Sequence, residues 1–180
     1  TIFFLVMLLF CGAFTLISQQ TSSSVNQGGL IRAPQVSWHK SYNGSGEESH
    51  PHYVIQTSDL GFLMVGETGF VEDRTAKIFL VKTDRLGKLI WKKEFGTSGY
   101  NLGNCVLETM DGNYLVAGSL NMDASLIKVD ARSGNAIWTR TWNLGKEDAF
   151  EGLTEAENGD IWATGYRDGL AEGTFLNWGK

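Results

Sequence analysis

The stretch NCVLETMDGNYLVAGSLNMDASLIKVDARSGNAIWTRTW, residues 104–142, decides the fold of this chain. It contains four short apolar runs separated by the turn clusters MDGN (110–113), NMDA (121–124) and RSGN (132–135). Asp-Gly and similar glycine-containing clusters tolerate the positive φ angles of tight hairpin turns. The high apolar density of the run YLVAGSL, residues 114–120, indicates a strand that is buried on both faces. The stretch therefore predicts one sheet of four antiparallel strands.

One part of this stretch, a turn cluster followed by an apolar run and a glycine, occurs three times along the chain. Its copies are TSDLGFLMVG (57–66), TMDGNYLVAG (109–118) and AENGDIWATG (156–165). Each copy ends in a glycine, and these closing glycines, Gly66, Gly118 and Gly165, are 52 and 47 positions apart. Short strands that repeat with a period near fifty residues are typical of β-propellers, which contain one four-stranded blade per repeat. We therefore predict an all-β chain of four-stranded antiparallel blades, about three of them, forming an incomplete ring.

A second element recurs between the copies and places tryptophan at a regular spacing. IFLVKTDRLGKLIW (78–91) matches ASLIKVDARSGNAIW (124–138), and Trp38, Trp91 and Trp138 are 53 and 47 positions apart. A large ring at a fixed place in each unit is expected to fill the space between neighbouring units, with its N–H reaching a backbone carbonyl. The alternative is an aromatic platform for carbohydrate.

Lysine and aspartate also recur at the strand ends. Lys82 and Lys128 stand two positions before Asp84 and Asp130, so each pair would share one face of a strand. We predict solvated ion pairs at the rim of the blades, worth about 0–1 kcal/mol each.

The segment VDARSGNAIW resembles the repeat of pyrroloquinoline-quinone-type β-propellers, in which an aspartate, a glycine four residues later and a tryptophan four further recur. Asp130, Gly134 and Trp138 have this spacing, and the preceding copy has a turn one residue shorter. The resemblance covers residues 36–180 and implies a quinoprotein-like propeller fold. Catalysis in the quinone enzymes depends on a calcium ion, an aspartate and a disulfide between adjacent cysteines. The two cysteines of this chain are not adjacent, so we expect neither that activity nor a cofactor.

A second resemblance concerns the first turn cluster. Thr57, Asp59 and Gly61 resemble the Asp-box turn, Ser/Thr-x-Asp-x-Gly, of sialidase-like propellers. Asn113 and Asp160 replace the glycine in the other copies. The resemblance implies a hairpin turn and no sialidase activity.

The beginning of the chain differs from the repeats. Residues 1–20 are apolar and uncharged, and residues 21–35 form a polar stretch that reads as a flexible linker to the repeat region, residues 36–180. A short apolar run followed by small residues predicts a signal peptide, and a retained signal anchor within residues 2–18 is the alternative. We expect a secreted or extracytoplasmic location, with membrane contact only through this segment. Because the chain begins at Thr1 and its last unit stops early, we expect it to be part of a longer protein or of an assembly.

Composition excludes several classes of protein. The 180 residues are 42% hydrophobic and carry a formal net charge of −5, with lysine and arginine scattered among the repeats. These values argue against a disordered chain and against a dedicated nucleic-acid binder. Cys105 is the single cysteine outside the apolar leader, so no internal disulfide is expected there, and we predict a small apolar core residue.

The densest set of metal-capable groups is His50-Pro51-His52 together with Glu47 and Glu48. Two histidines and a carboxylate can bind zinc or copper, which makes His50 and His52 the candidate metal ligands. The segment nevertheless reads as an exposed loop that leads into a strand, so we assign no metal site and keep the two histidines only as candidates for one.

Other chemical signals are local. Asn43 begins the sequon Asn-Gly-Ser and is a possible glycosylation site in an exported chain. The acids at 147–148 and 155–157 are expected to be solvated loop residues. The sequence contains no G-x-S-x-G or HExxH motif, so we assign no catalytic or cofactor-binding residue.

These observations predict a secreted or surface-anchored propeller-like module that binds a protein or carbohydrate partner without catalysis. The alternative is a fragment of an exported propeller enzyme, a hydrolase or quinoprotein-like oxidoreductase, whose catalytic residues lie outside this chain. Gly66, Gly118, Gly165, Asp84, Asp130 and the three repeat tryptophans are interpreted as structural repeat positions.

Overall fold

The computed structural model describes residues 3–6, 14–20, 35–167 and 170–178. The regular structure in these ranges is antiparallel β-sheet, which confirms the all-β prediction. Within the same ranges no helix is long and apolar enough to cross a membrane.

The strands form four sheets in chain order. The first sheet contains β1 (Phe3–Val6), β2 (Phe14–Gln20) and β3 (Gln35–Tyr42). The second contains β4 (Ser49–Gln56), β5 (Phe62–Thr68), β6 (Ala76–Thr83) and β7 (Leu89–Gly99). The third contains β8 (Leu102–Glu108), β9 (Tyr114–Leu120), β10 (Asp123–Val129) and β11 (Ala136–Trp142). The fourth contains β12 (Ala149–Glu155), β13 (Ile161–Arg167) and β14 (Leu170–Trp178).

Every strand pairs with its sequence neighbour, so each sheet is an antiparallel meander. The second and third sheets have the four strands that the repeat predicts. Strands β1 and β2 lie within residues 1–20, for which a signal peptide or signal anchor stays a prediction.

The closing glycine of each copy marks a bulge in the first strand of its sheet. The opposed pairs are Pro51–Gly66, Gly103–Gly118 and Phe150–Gly165. A Cβ built on any of these second-strand glycines would lie 1.8–1.9 Å from a carbonyl oxygen of the first strand, so only glycine allows this approach. The register then skips one residue in each first strand: His52, Asn104 and Glu151.

Consecutive sheets pack face to face. The cluster between the second and third sheets comprises Leu63, Val65, Ile78, Leu80, Trp91, Val106, Tyr114, Val116, Ile127 and Val129. The cluster between the first and second sheets comprises Tyr42, Phe62, Met64, Phe79 and Val81. The cluster between the third and fourth comprises Cys105, Leu115, Ala117, Ala124, Leu126, Phe150 and Ala163. The second and third sheets therefore bury apolar side chains on both faces, as the sequence predicts for the middle strands.

Two of the repeat tryptophans pack on a glycine turn of the next sheet. The rings of Trp38 and Trp91 cover Gly87 and Gly134, and a Cβ on Gly134 would lie 2.8 Å from the Trp91 ring. The indole N–H of Trp91 donates to the carbonyl of a residue in the same turn, at 3.0 Å. Trp138 holds the equivalent register position, opposite a lysine, but it is 39% exposed and stacks with a guanidinium at 5.6 Å.

The recurring lysines pair differently from the sequence prediction. The Nζ atoms of Lys82 and Lys128 lie 2.8 and 3.0 Å from carboxylate oxygens of Asp59 and Asp111, which belong to the turn after the first strand. Asp84 instead accepts backbone N–H groups within its own turn, at 2.8 and 2.9 Å. The predicted pairing of lysine with the aspartate two positions later is therefore wrong, because that aspartate caps the next hairpin.

The Asp-box-like turn has the hydrogen bonds that its residues imply. Asp59 accepts the Thr57 hydroxyl at 2.6 Å and the Gly61 N–H at 2.9 Å. Asp111 makes the same bonds, at 2.6 and 3.0 Å, although Asn113 replaces the glycine.

Among the described residues, the acids Glu108, Asp148 and Glu155 accept hydrogen bonds from backbone N–H groups. Glu155 accepts the N–H of Met110 from the preceding sheet at 2.7 Å, and Glu108 accepts the N–H of Ser58 at 2.7 Å in the same way. Asp148 is 1% exposed and accepts a loop N–H at 2.6 Å. The prediction of a solvated acid is therefore wrong for Asp148, because its buried carboxylate accepts a hydrogen bond from the loop backbone.

A glycine pair tests the contact between the Trp91 ring and the third sheet. Gly134 and Gly112 have similar φ angles of 70° and 76°, but a Cβ at Gly112 would meet nothing within 4 Å. We expect Gly112→Ala to cost about 1–2 kcal/mol of unfolding free energy through backbone strain. Gly134→Ala should cost about 1–3 kcal/mol more, because the methyl group collides with Trp91. Urea denaturation measures both, and equal losses would contradict the predicted packing.

Candidate functional site

One end of the stacked sheets carries a group of polar side chains that we call the polar rim. It lies where the first strands of the second, third and fourth sheets begin and the second strands end. Its members are Glu48, His50, His52, Glu67, Tyr100, Asn104, Glu147, Glu151 and Tyr166.

In the second sheet two imidazoles converge on one carboxylate. The Oε1 atom of Glu67 lies 3.1 Å from Nε2 of His52 and 3.7 Å from Nδ1 of His50. The other ring nitrogen of His50 lies 2.7 Å from Glu48. The Glu67 side chain is 4% exposed, whereas the two imidazoles are 37% and 35% exposed. The rim thus presents histidines to solvent over a buried acid.

The structure brings His50 and His52 together, as the sequence-based metal hypothesis requires. The ring nitrogens of both histidines face carboxylate or amide oxygens. Within the described ranges, no group of three or more His, Cys, Asp or Glu side chains is arranged to hold a metal ion. We therefore interpret the pair as part of a hydrogen-bonded chain.

Asn104 continues that chain into the next two sheets. Its Oδ1 atom lies 3.3 Å from Nδ1 of His52, and its Nδ2 group donates to the carbonyl of Phe150 at 3.0 Å. These bonds run from the second sheet through the third to the fourth. The bulges place the skipped residues His52 and Asn104 next to each other, although 52 positions separate them.

The fourth sheet contributes a phenol beside acids. Burial raises the pKa of Tyr166 to about 12, together with its hydrogen bond to Tyr100 and the charges of Glu151 and Glu147. The same end therefore also links the third and fourth sheets through Tyr100 and Tyr166.

Three buried side-chain oxygens have no hydrogen-bond partner among the described residues: Oε2 of Glu67, Oγ of Ser119 and Oγ of Ser125, the strand partner of Gly118. The first two lie at the rim. Both residues directly follow a closing glycine and hold equivalent register positions, opposite His50 and Leu102. Buried polar atoms are normally hydrogen-bonded. These buried oxygens could therefore still accept a hydrogen bond, and the serine hydroxyls could donate one.

Rim positions differ between copies, in contrast to the repeated glycines and turns. The skipped bulge residues are His52, Asn104 and Glu151. The residues after the closing glycine are Glu67, Ser119 and Tyr166. The residues three positions before the partner of the closing glycine are Glu48, Tyr100 and Glu147. The rim side chains therefore vary at register positions where the scaffold itself repeats.

A cleft of about 350 Å³ lies beside the rim. Loop 69–75, which joins the second and third strands of the second sheet, lines it with Phe70 and Asp73. The corresponding connection of the third sheet is the two-residue turn Asn121–Met122. The longer loop is a further difference between copies at this end.

The remaining sequence candidates lie apart from the rim contacts. Cys105 is 5% exposed, and burial raises the pKa of its thiol, as expected for a core residue. Asn43 is exposed in the loop before β4, and its glycosylation stays a prediction.

The sequence did not reveal three residues of the rim, Glu67, Asn104 and Tyr166. The signal that could have identified them was a polar residue next to a glycine in an otherwise apolar strand.

Comparison with protein-family models gives no match for this chain, and comparison with curated proteins gives none either. The function is therefore argued from the geometry of the rim.

An asparagine pair tests the links across the rim. Asn104→Ala removes the bond to the Phe150 carbonyl and the acceptor for His52, so we expect a loss of about 1–3 kcal/mol of unfolding free energy. The control is Asn135→Ala, because Asn135 lies in an exposed turn and accepts one lysine at 2.7 Å. Its loss should stay below about 1 kcal/mol. Chemical denaturation at pH 6 measures both, and an Asn104→Ala loss no larger than the control would contradict the assignment.

Proposed function

We propose that this protein is a propeller-like binding module, exported or held at the cell surface, that binds a protein or carbohydrate ligand at its polar rim and catalyses no reaction. The proposal rests on one observation. At two of the three equivalent rim positions the polar residue differs in every sheet, while the closing glycines of the scaffold repeat.

The propeller part of the proposal is supported by the way consecutive meanders stack. Each four-stranded sheet buries both faces, and β8 and β12, the first strands of their sheets, pack over the sheet before. Propeller blades pack in this manner around an axis that their first strands line. Of the quinoprotein-like repeat residues, Trp91 and Gly134 lie at the contact between the second and third sheets. Export is supported by the apolar run within residues 2–18.

Binding is favoured over catalysis by the partners of the rim histidines. A nucleophilic mechanism needs a hydroxyl or thiol within hydrogen-bond reach of a base. Among the described residues, the contacts of His50 and His52 are with Glu48, Glu67 and Asn104. Carboxylate, amide and phenol groups together suit the hydroxyl groups of a sugar or the polar groups of a peptide.

Glycan and peptide arrays test this proposal with the full chain as the probe. Glu151→Ala and Tyr166→Phe alter the rim, whereas Met110→Ala and Arg132→Ala alter exposed turns at the opposite end of the same sheets. We expect a ligand whose affinity falls about tenfold or more in the rim variants, equivalent to about 1.4 kcal/mol. The opposite-end variants should bind like the unaltered chain. Arrays with no specific ligand, or binding that is lost only in the opposite-end variants, would contradict the proposal.

A further inference from the structure

The contacts of His52 constrain which protons its ring carries. Nε2 lies 3.1 Å from the Glu67 carboxylate, and Nδ1 lies 3.3 Å from Oδ1 of Asn104. The orientation of the Asn104 amide is fixed from the other side, because its Nδ2 group donates to the Phe150 carbonyl at 3.0 Å. A flipped amide would place its oxygen against that carbonyl oxygen. Both ring nitrogens of His52 therefore face acceptors.

A neutral imidazole has one N–H donor and one acceptor nitrogen, whereas the imidazolium donates at both nitrogens. Either neutral tautomer would leave an acceptor of His52 facing an oxygen of Glu67 or Asn104. Only the protonated ring satisfies both contacts at once.

We infer that protonated His52 is a latch that ties the second, third and fourth sheets together at the polar rim, and that loss of its proton releases this tie. The chain of contacts is Glu67 on β5, His52 on β4, Asn104 on β8 and the Phe150 carbonyl on β12. The rim is therefore held most firmly in mildly acidic solution. The latch does not depend on which ligand the rim binds.

The charged neighbours of His52 support this assignment. Glu67 is buried, so its charge is weakly screened and favours the imidazolium. His50 shares the same Oε1 atom at the longer distance of 3.7 Å and has Glu48 at 2.7 Å for its other nitrogen. From β8 the facing group is the uncharged amide of Asn104. His52 is thus the ring with the shorter contact to Glu67.

The direction of the pH effect follows from these contacts. The hydrogen bond to Glu67 raises the pKa of His52 above its ordinary value of 6.5, against the opposing effect of partial burial. A group whose pKa is higher in the folded state stabilises fully below its unfolded value, and this contribution is lost as pH rises through the folded value. The latch therefore weakens from about pH 6.5 upward.

NMR titration of the full chain tests the protonation directly. At pH 6.5 we expect both ring nitrogens of His52 to carry protons, with a titration midpoint above 6.5. Asn104→Leu should move that midpoint downward, because it removes the acceptor at Nδ1. A midpoint at or below 6.5 in the unaltered chain would overturn the inference.

Thermal unfolding between pH 6 and pH 8.5 tests the effect on stability. We expect the Tm of the unaltered chain to fall over this range and that of His52→Gln to change less. His39→Gln is the matched control, since His39 is an exposed histidine on β3, and it should keep the original slope. A slope in His52→Gln equal to that of the unaltered chain would also overturn the inference, and the NMR midpoint decides the matter if that variant does not fold.

Discussion

The structure depends on the mutual burial of consecutive sheets. Leu63 and Leu80 on one face of the second sheet, and Met64 and Phe79 on the other, are each 0% exposed. Burial of such a side chain stabilises by about 1.5–3 kcal/mol, so a sheet that lost a neighbour would expose several of them together. No single meander could stay folded alone at that cost, because whole domains are stable by about 5–15 kcal/mol. The stacking also fixes the rim. The bulged ends of the first strands lie next to one another only as long as the sheets stay packed.

The repeat pattern predicted this scaffold to a large extent. Turn clusters and closing glycines located the hairpins of the second and third sheets, and Trp38 and Trp91 pack between sheets as their spacing indicated. The prediction failed where a partner lies across a turn or in another sheet. Lys82 pairs with Asp59, which lies 23 positions earlier, because the turn after the first strand folds back over the third strand. Periodicity describes which face a side chain occupies and does not identify its partner beyond the strand.

The rim was harder to find from sequence for the same reason. His50 and His52 were visible as a local cluster, but Glu67, Asn104 and Tyr166 appear as isolated polar residues within apolar strands. Asn104 lies next to His52 because a bulge occurs at the same register in each first strand. The sequence identified the two histidines only as candidates for a metal site, and in the structure their ring nitrogens belong to a hydrogen-bonded chain. A scaffold whose glycines and turns recur, with side chains that vary at one end, is the physical basis of the proposed binding function.

The contacts of Trp38 and Trp91 with the following sheet offer the most direct test of the stacking. In solution NMR, the ring protons of Trp91 should give strong nuclear Overhauser effects to the α protons of Gly134, which should be shifted upfield by the ring current. Trp38 and Gly87 should show the same pattern, because both rings lie within 2.9 Å of the Cβ positions of their glycines. Absence of both sets of cross-peaks, with the glycine α protons at ordinary shifts, would contradict the face-to-face stacking on which the whole interpretation rests.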